Sequence, residues 1–70
     1  MNDSHVILNG KRHPYPGTGL TMLLTELDIA ADARGVAVAV NGEVVPRRDW
    51  PHTPLLPGDE VDIVGAVQGG

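Results

Sequence analysis

This chain of 70 residues has no cysteine and no phenylalanine, and its whole aromatic content is Tyr15 and Trp50. The missing cysteine removes disulfides, thiolate metal sites and a Cys nucleophile together. Any sulfur chemistry on the chain therefore cannot use a cysteine thiol. The missing phenylalanine leaves Val, Ile, Leu and Ala to make the core. Length allows one domain, and so short a chain buries only ~60% of its unfolded surface. Cations are scarce as well: five Lys and Arg against nine Asp and Glu give a formal net charge of −4. Phosphate neutralisation needs clustered Lys and Arg, so no nucleic-acid partner is expected; a basic protein partner fits better. No apolar run approaches the ~20 residues that span a bilayer. The polar start, Met1 to His5, is no signal peptide. A soluble, cytoplasmic protein with no membrane partner is expected.

What is present is patterned. His5 to Leu8 reads as a strand, Asn9-Gly10 as a type I′ hairpin turn needing positive φ at both central positions, and Lys11 to Tyr15 as the return. Pro14 and Pro16 confine that return to a sheet edge. Thr18-Gly19 marks a helix start. Leu20, Leu23, Leu24 and Leu27 form one apolar stripe at i, i+3, i+4 and i+7. Helical register is expected to fade across 29–33, with Gly35 as the stop. Val36 to Val40 is a β-branched strand, Asn41-Gly42 a second hairpin turn, and Glu43 to Val45 a short strand ended by Pro46. Residues 47–57, with three prolines and two arginines, read as an ordered loop with short turns. Pro57-Gly58-Asp59 is a turn, and Glu60 to Val67 the last strand.

One helix of about ten residues covers one face of a four- to five-stranded sheet, since a core needs two layers. The economical topology sets the first and last strands side by side and parallel, with a right-handed connection through the helix. The fold class is α+β: a mixed-sheet β-grasp, or ubiquitin-like, body over 1–65 and a flexible C-terminal tail over 66–70. Strand alternation turns Val6, Leu8, Val36, Val38, Val40, Val61 and Ile63 toward the helix. The opposite parity gives the uncovered face Ile7, Ala37, Ala39, Val64 and Ala66. Uncovered faces are normally polar. A small apolar centre rimmed by charge reads as a partner docking face, against ordinary surface hydrophobicity. The chain closes on Gly69-Gly70, a carboxylate on backbone with no side chains, which a narrow active-site channel can admit.

Three stretches resemble the ThiS family of ubiquitin-like sulfur carrier proteins of thiamin biosynthesis. They are Val6-Ile7-Leu8-Asn9-Gly10; Val40-Asn41-Gly42-Glu43-Val44-Val45-Pro46-Arg47 with Trp50; and Gly58-Asp59-Glu60-Val61-Asp62-Ile63-Val64-Gly65-Ala66-Val67-Gln68-Gly69-Gly70. A departure is Gly19, where the family usually has a capping Thr. The resemblance implies that a ThiF-like adenylyltransferase, using ATP and Mg²⁺, adenylates the Gly70 carboxylate. Sulfur from a donor such as a cysteine desulfurase then makes it a thiocarboxylate, which thiazole synthase (ThiG-like) consumes. An α-carboxylate with a reference pKa of ~3.5 is ionised and a poor electrophile, so activation is needed. Nothing in the chain cradles a phosphate. The protein is then a cosubstrate and no enzyme, with no bound cofactor and no metal. Gly69 keeps the approach free of Cβ atoms, and Gln68, Val67 and Ala66 extend the strand as an arm reaching ~20 Å from Gly65.

Other residues carry weaker readings. Arg47 and Arg48 are taken as solvated structural residues over a docking role, and Trp50 as packing the loop onto the body over a partner anchor. His5, His13 and His52 lack metal spacing and read as solvated. Asp59, Glu60 and Asp62 form a solvated rim attracting a basic partner, since general acid–base work would need a pocket. Two alternatives stay open: a carrier like the small subunit of molybdopterin synthase, and a ubiquitin-like modifier joined to lysines. A plain interaction module with an inert tail is the reading from another class.

Overall fold

A computed structural model describes residues 4–30 and 32–65. Its strands are β1 (His5–Leu8), β2 (Lys11–Pro14), β3 (Val36–Val40), β4 (Glu43–Val45) and β5 (Glu60–Gly65), in one five-stranded sheet of order β2-β1-β5-β3-β4. β1 and β5 run parallel, and every other neighbouring pair is antiparallel. The expected β-grasp topology is therefore the observed one, with β5 in the middle of the sheet. Both Asn-Gly turns have the positive φ a type I′ hairpin needs: 49° and 85° at Asn9 and Gly10, 52° and 84° at Asn41 and Gly42.

The helix α1 (Leu20–Glu26) is shorter than the sequence suggests and is bounded differently at both ends. At its start no side chain caps it. The backbone carbonyl of Thr53 does so instead, accepting from Leu20 N at 2.9 Å, and so satisfies one of the orphan donors of a helix start. Gly19 permits this approach, because a Cβ there would lie 2.9 Å from the same carbonyl oxygen. A side chain at this position would set its Cβ against that carbonyl. At its end Gly35 is not the stop. Asp28 takes the left-handed conformation (φ 64°). Ile29 N bonds Leu24 O at 2.8 Å and Asp28 N bonds Thr25 O at 3.0 Å, the paired bonds of a Schellman end. Aspartate occupies the place usually given to glycine because its short polar side chain tolerates that region.

The expected loop over 47–57 is also more regular than its prolines suggest. Its first half is a 3-10 helix, Arg47–His52. Trp50 is buried there and donates from Nε1 to Val45 O at 3.0 Å. Farther on, buried Leu55 is fixed by its carbonyl, which accepts from the Tyr15 hydroxyl at 2.6 Å. The core joins Leu20, Leu23, Leu24, Val38, Trp50, Leu55 and Val61, with Leu8, Val36, Val40 and Ile63 packed half-buried against it; Val6 is fully buried too. Each such aliphatic side chain contributes roughly 1.5–3 kcal/mol by leaving water. All seven strand residues assigned to the helix side are thus turned inward. Among the described residues no helix is long and apolar enough to cross a membrane.

Candidate functional site

The fold holds β5 from both sides up to Gly65, the last described residue. The two Asn-Gly turns do more than reverse direction. Asn9 donates its N–H to Val61 O (2.9 Å) and accepts from Ile63 N on Oδ1 (2.8 Å). Asn41 donates its N–H to Glu60 O (2.7 Å) and accepts from Glu60 N on Oδ1 (3.0 Å). These asparagine side chains therefore satisfy backbone groups that the sheet ladder alone leaves over. The start of β5 is tied further by Ile7 N donating to Asp59 O at 2.8 Å. At its far end, Gly65 pairs with Val36. Ala66, Val67, Gln68, Gly69 and Gly70, the expected tail and its reacting terminus, lie outside the described residues, as does the end of the strand expected over 60–67.

Register builds the uncovered face. Ala37 lies opposite Val64, and Ala39 lies between Val44 and Asp62. Val64 and Val44 are 66% and 74% exposed, so large apolar side chains stand in water beside small ones. This group sits where β5 ends. Ile7 shares the face but belongs to another part of it: its neighbour on β5 is Glu60. The alternation of β5 puts Glu60, Asp62 and Val64 on one face, so the first two carboxylates stand between Ile7 and Ala39. Of the five residues expected on this face, Ala66 lies outside the described residues, and acid separates Ile7 from Ala37, Ala39 and Val64. Val44 joins Ala37, Ala39 and Val64 in their place. Its signal was available, because it has the outward parity of a hairpin whose register the Asn41-Gly42 turn fixes.

The three clustered carboxylates consequently differ in kind. Asp59 is a structural residue: Leu56 N donates to Oδ2 at 2.9 Å, and Asn41 Nδ2 to Oδ1 at 3.1 Å. Glu60 is exposed at the start of β5, and Asp62 is exposed in the middle of the face rather than on a rim. Of the basic residues, Arg47 has the structural role expected of it, and His13 and His5 have partners where solvated side chains are expected. Arg47 lays its guanidinium 4.7 Å above the Trp50 ring and donates to Ala33 O, a stacking that locks the 3-10 helix onto the body. His13 meets Glu26 at 3.3 Å, and Arg12 meets the His5 Nδ1 at 3.4 Å. His52 lies exposed on the 3-10 helix. Among the described residues no three His, Asp or Glu side chains gather to hold a metal ion.

A notch of about 220 Å³ opens between α1 and the 3-10 helix, lined by Leu24, Ile29, Trp50 and Pro51 among others. Its hydroxyls come from Thr21 and Thr25, and Thr25 Oγ1 is already donating to Thr21 O at 2.9 Å. No carboxylate or imidazole lines it, so it offers no general acid or base.

The ThiS family model matches residues 6–70. A sulfur carrier protein ThiS of Thermus thermophilus is 38% identical over 65 residues, covering 93% of this chain and 98% of that protein. The crystal structure of a thiamine biosynthesis protein (ThiS) from Geobacter metallireducens superposes with a TM-score of 0.75 at 33% identity, covering 94% of this chain and 99% of that one. The solution structure of a thiamine biosynthesis protein from the same organism gives 0.74 at 33% identity, covering 94% and 87%.

Proposed function

The chain belongs to the ThiS family, and on that premise we propose that it is a sulfur carrier of thiamine biosynthesis whose reacting group is the Gly70 carboxyl. A ThiF-like adenylyltransferase activates it. The carboxylate oxygen attacks the α-phosphorus of ATP and pyrophosphate leaves, with Mg²⁺ in the partner's site. A persulfide sulfur from a donor such as a cysteine desulfurase then displaces AMP, and reduction of the remaining sulfur–sulfur bond by a thiol frees the thiocarboxylate. Thiazole synthase accepts that sulfur. The carrier supplies the acyl group and the address, and the partners supply the chemistry. ATP supply makes the cytoplasm the natural compartment.

The observation that carries this reading is the family match running through Gly69-Gly70. The division of labour is physical. Gly69 and Gly70 have no Cβ, so a narrow channel admits them. Gln68, Val67 and Ala66 bridge from that channel back to the body. The apolar group of Ala37, Ala39, Val44 and Val64 lies beside the last described residues of β5, which this segment follows in sequence, and it is the docking surface in this reading. Ile7, with Glu60 and Asp62 beside it, supplies the part of the face that accepts a basic rim.

The test is intact-mass spectrometry of the full chain after incubation with adenylyltransferase, ATP, Mg²⁺, sulfur donor and thiol. The expected product has one oxygen replaced by sulfur, and a chain lacking Gly70 gives none. A normal mass gain in the shortened chain overturns the assignment. Stable conjugates to lysines on a denaturing gel would favour the modifier instead.

A further inference from the structure

The two hairpins carry the same dipeptide with almost the same φ angles, yet their amides are held differently. Asn-Gly is the pair most open to self-attack, because glycine leaves its own nitrogen unshielded. The Gly N attacks the Asn Cγ and closes a five-membered imide. The Cγ–Nδ2 bond breaks, and ammonia departs carrying the proton from the Gly nitrogen. Water then opens the imide to aspartate or isoaspartate, with no change of oxidation state. Attack requires Cγ to swing over the following peptide, so whatever holds the amide slows the step.

At Asn9 only Oδ1 is held, by Ile63 N; Nδ2 has no hydrogen-bond partner among the described residues. At Asn41 both ends are held, Oδ1 by Glu60 N and Nδ2 by the Asp59 carboxylate. The second hold is charge-assisted and stronger than a neutral one. The surroundings differ in the same sense. Asp59 and Glu60 next to Asn41 oppose the negative charge that develops on the attacking nitrogen, whereas Lys11 follows Asn9-Gly10. The products differ too. An aspartate at 9 keeps an acceptor for Ile63 N, while one at 41 would set a carboxylate against Asp59.

We propose that Asn9 is a site of spontaneous conversion to aspartate and isoaspartate in the folded protein, and that the Asp59 carboxylate shields the equivalent Asn41-Gly42 pair. The experiment ages the full chain in mildly alkaline buffer and quantifies both converted peptides by digestion and mass spectrometry, folded and in urea. In urea the two sites react at similar rates. In the folded chain conversion at 9 leads by roughly tenfold, the factor one charge-assisted hydrogen bond sustains. Asp59→Asn removes the charge and leaves a side-chain oxygen for Leu56 N; Asp59→Ala removes both. Either variant raises conversion at 41 toward that at 9, while conversion at 9 in the same molecules stays constant. Equal folded rates, a lead for 41, or a ratio unmoved in both variants overturns the proposal. A parallel rise at both sites does so as well, since the protection would then belong to the fold as a whole.

Discussion

The two faces of β5 are written in the same six residues and do opposite work. Val61 and Ile63 turn inward, Val61 fully buried and Ile63 packed against the core. Glu60, Asp62 and Val64 turn outward, and all three are exposed. The inward face is constrained by volume: each side chain fills space that nothing else can fill, at close-packed density. The outward face is constrained only by what it meets. Stability and recognition are thereby separated onto alternate residues of one strand, and substitutions on the two faces should separate in the same way.

The largest expected effect is on the covered side. Leu23→Ala removes a fully buried side chain of α1 and should cost about 2–5 kcal/mol, a large share of the stability of so small a domain. Urea unfolding with fitted m-values measures it, and a loss well under 1 kcal/mol would break the comparison. Next comes Gly19→Ala, which sets a Cβ 2.9 Å from Thr53 O and should cost about 1–3 kcal/mol through overpacking at the helix start. Smallest in stability is Val44→Asp on the open face. It should stay within about 0.5 kcal/mol of the parent in the same urea titration and yet weaken binding to the adenylyltransferase, read by calorimetric titration. Unchanged binding would remove this face from the interface.

The sheet was legible because two local signals agree. Period-two alternation assigns the faces, and two Asn-Gly turns fix both hairpin registers, so the parallel pairing of first and last strands follows from economy of connection. The end of α1 was not legible. A non-glycine residue in the left-handed region leaves no mark in composition, and Asp28 looks like any surface acid until its φ is known. The segment 47–57 is legible only coarsely, as an ordered loop with turns that Trp50 packs onto the body, for a related reason. Prolines broke every period, so neither the 3-10 helix nor the burial of Leu55 had a pattern to show it. The sequence puts Asp62 on a rim with Asp59 and Glu60 because clustering along the chain says nothing of position across a sheet; only the pairing of Ala39 with Asp62 sets it in the middle. The Gly69-Gly70 terminus was legible as chemistry, from the absence of side chains there, and its partners only through family resemblance.

Adenylation is reversible, so exchange of labelled pyrophosphate into ATP by the adenylyltransferase reports whether this chain presents the carboxyl that is activated. With the full chain the exchange should be robust, and with the chain lacking Gly69-Gly70 it should fall to the rate seen with no carrier, although the shortened chain still competes for binding through its open face. Exchange sustained by the shortened chain at the full-length rate would contradict the account.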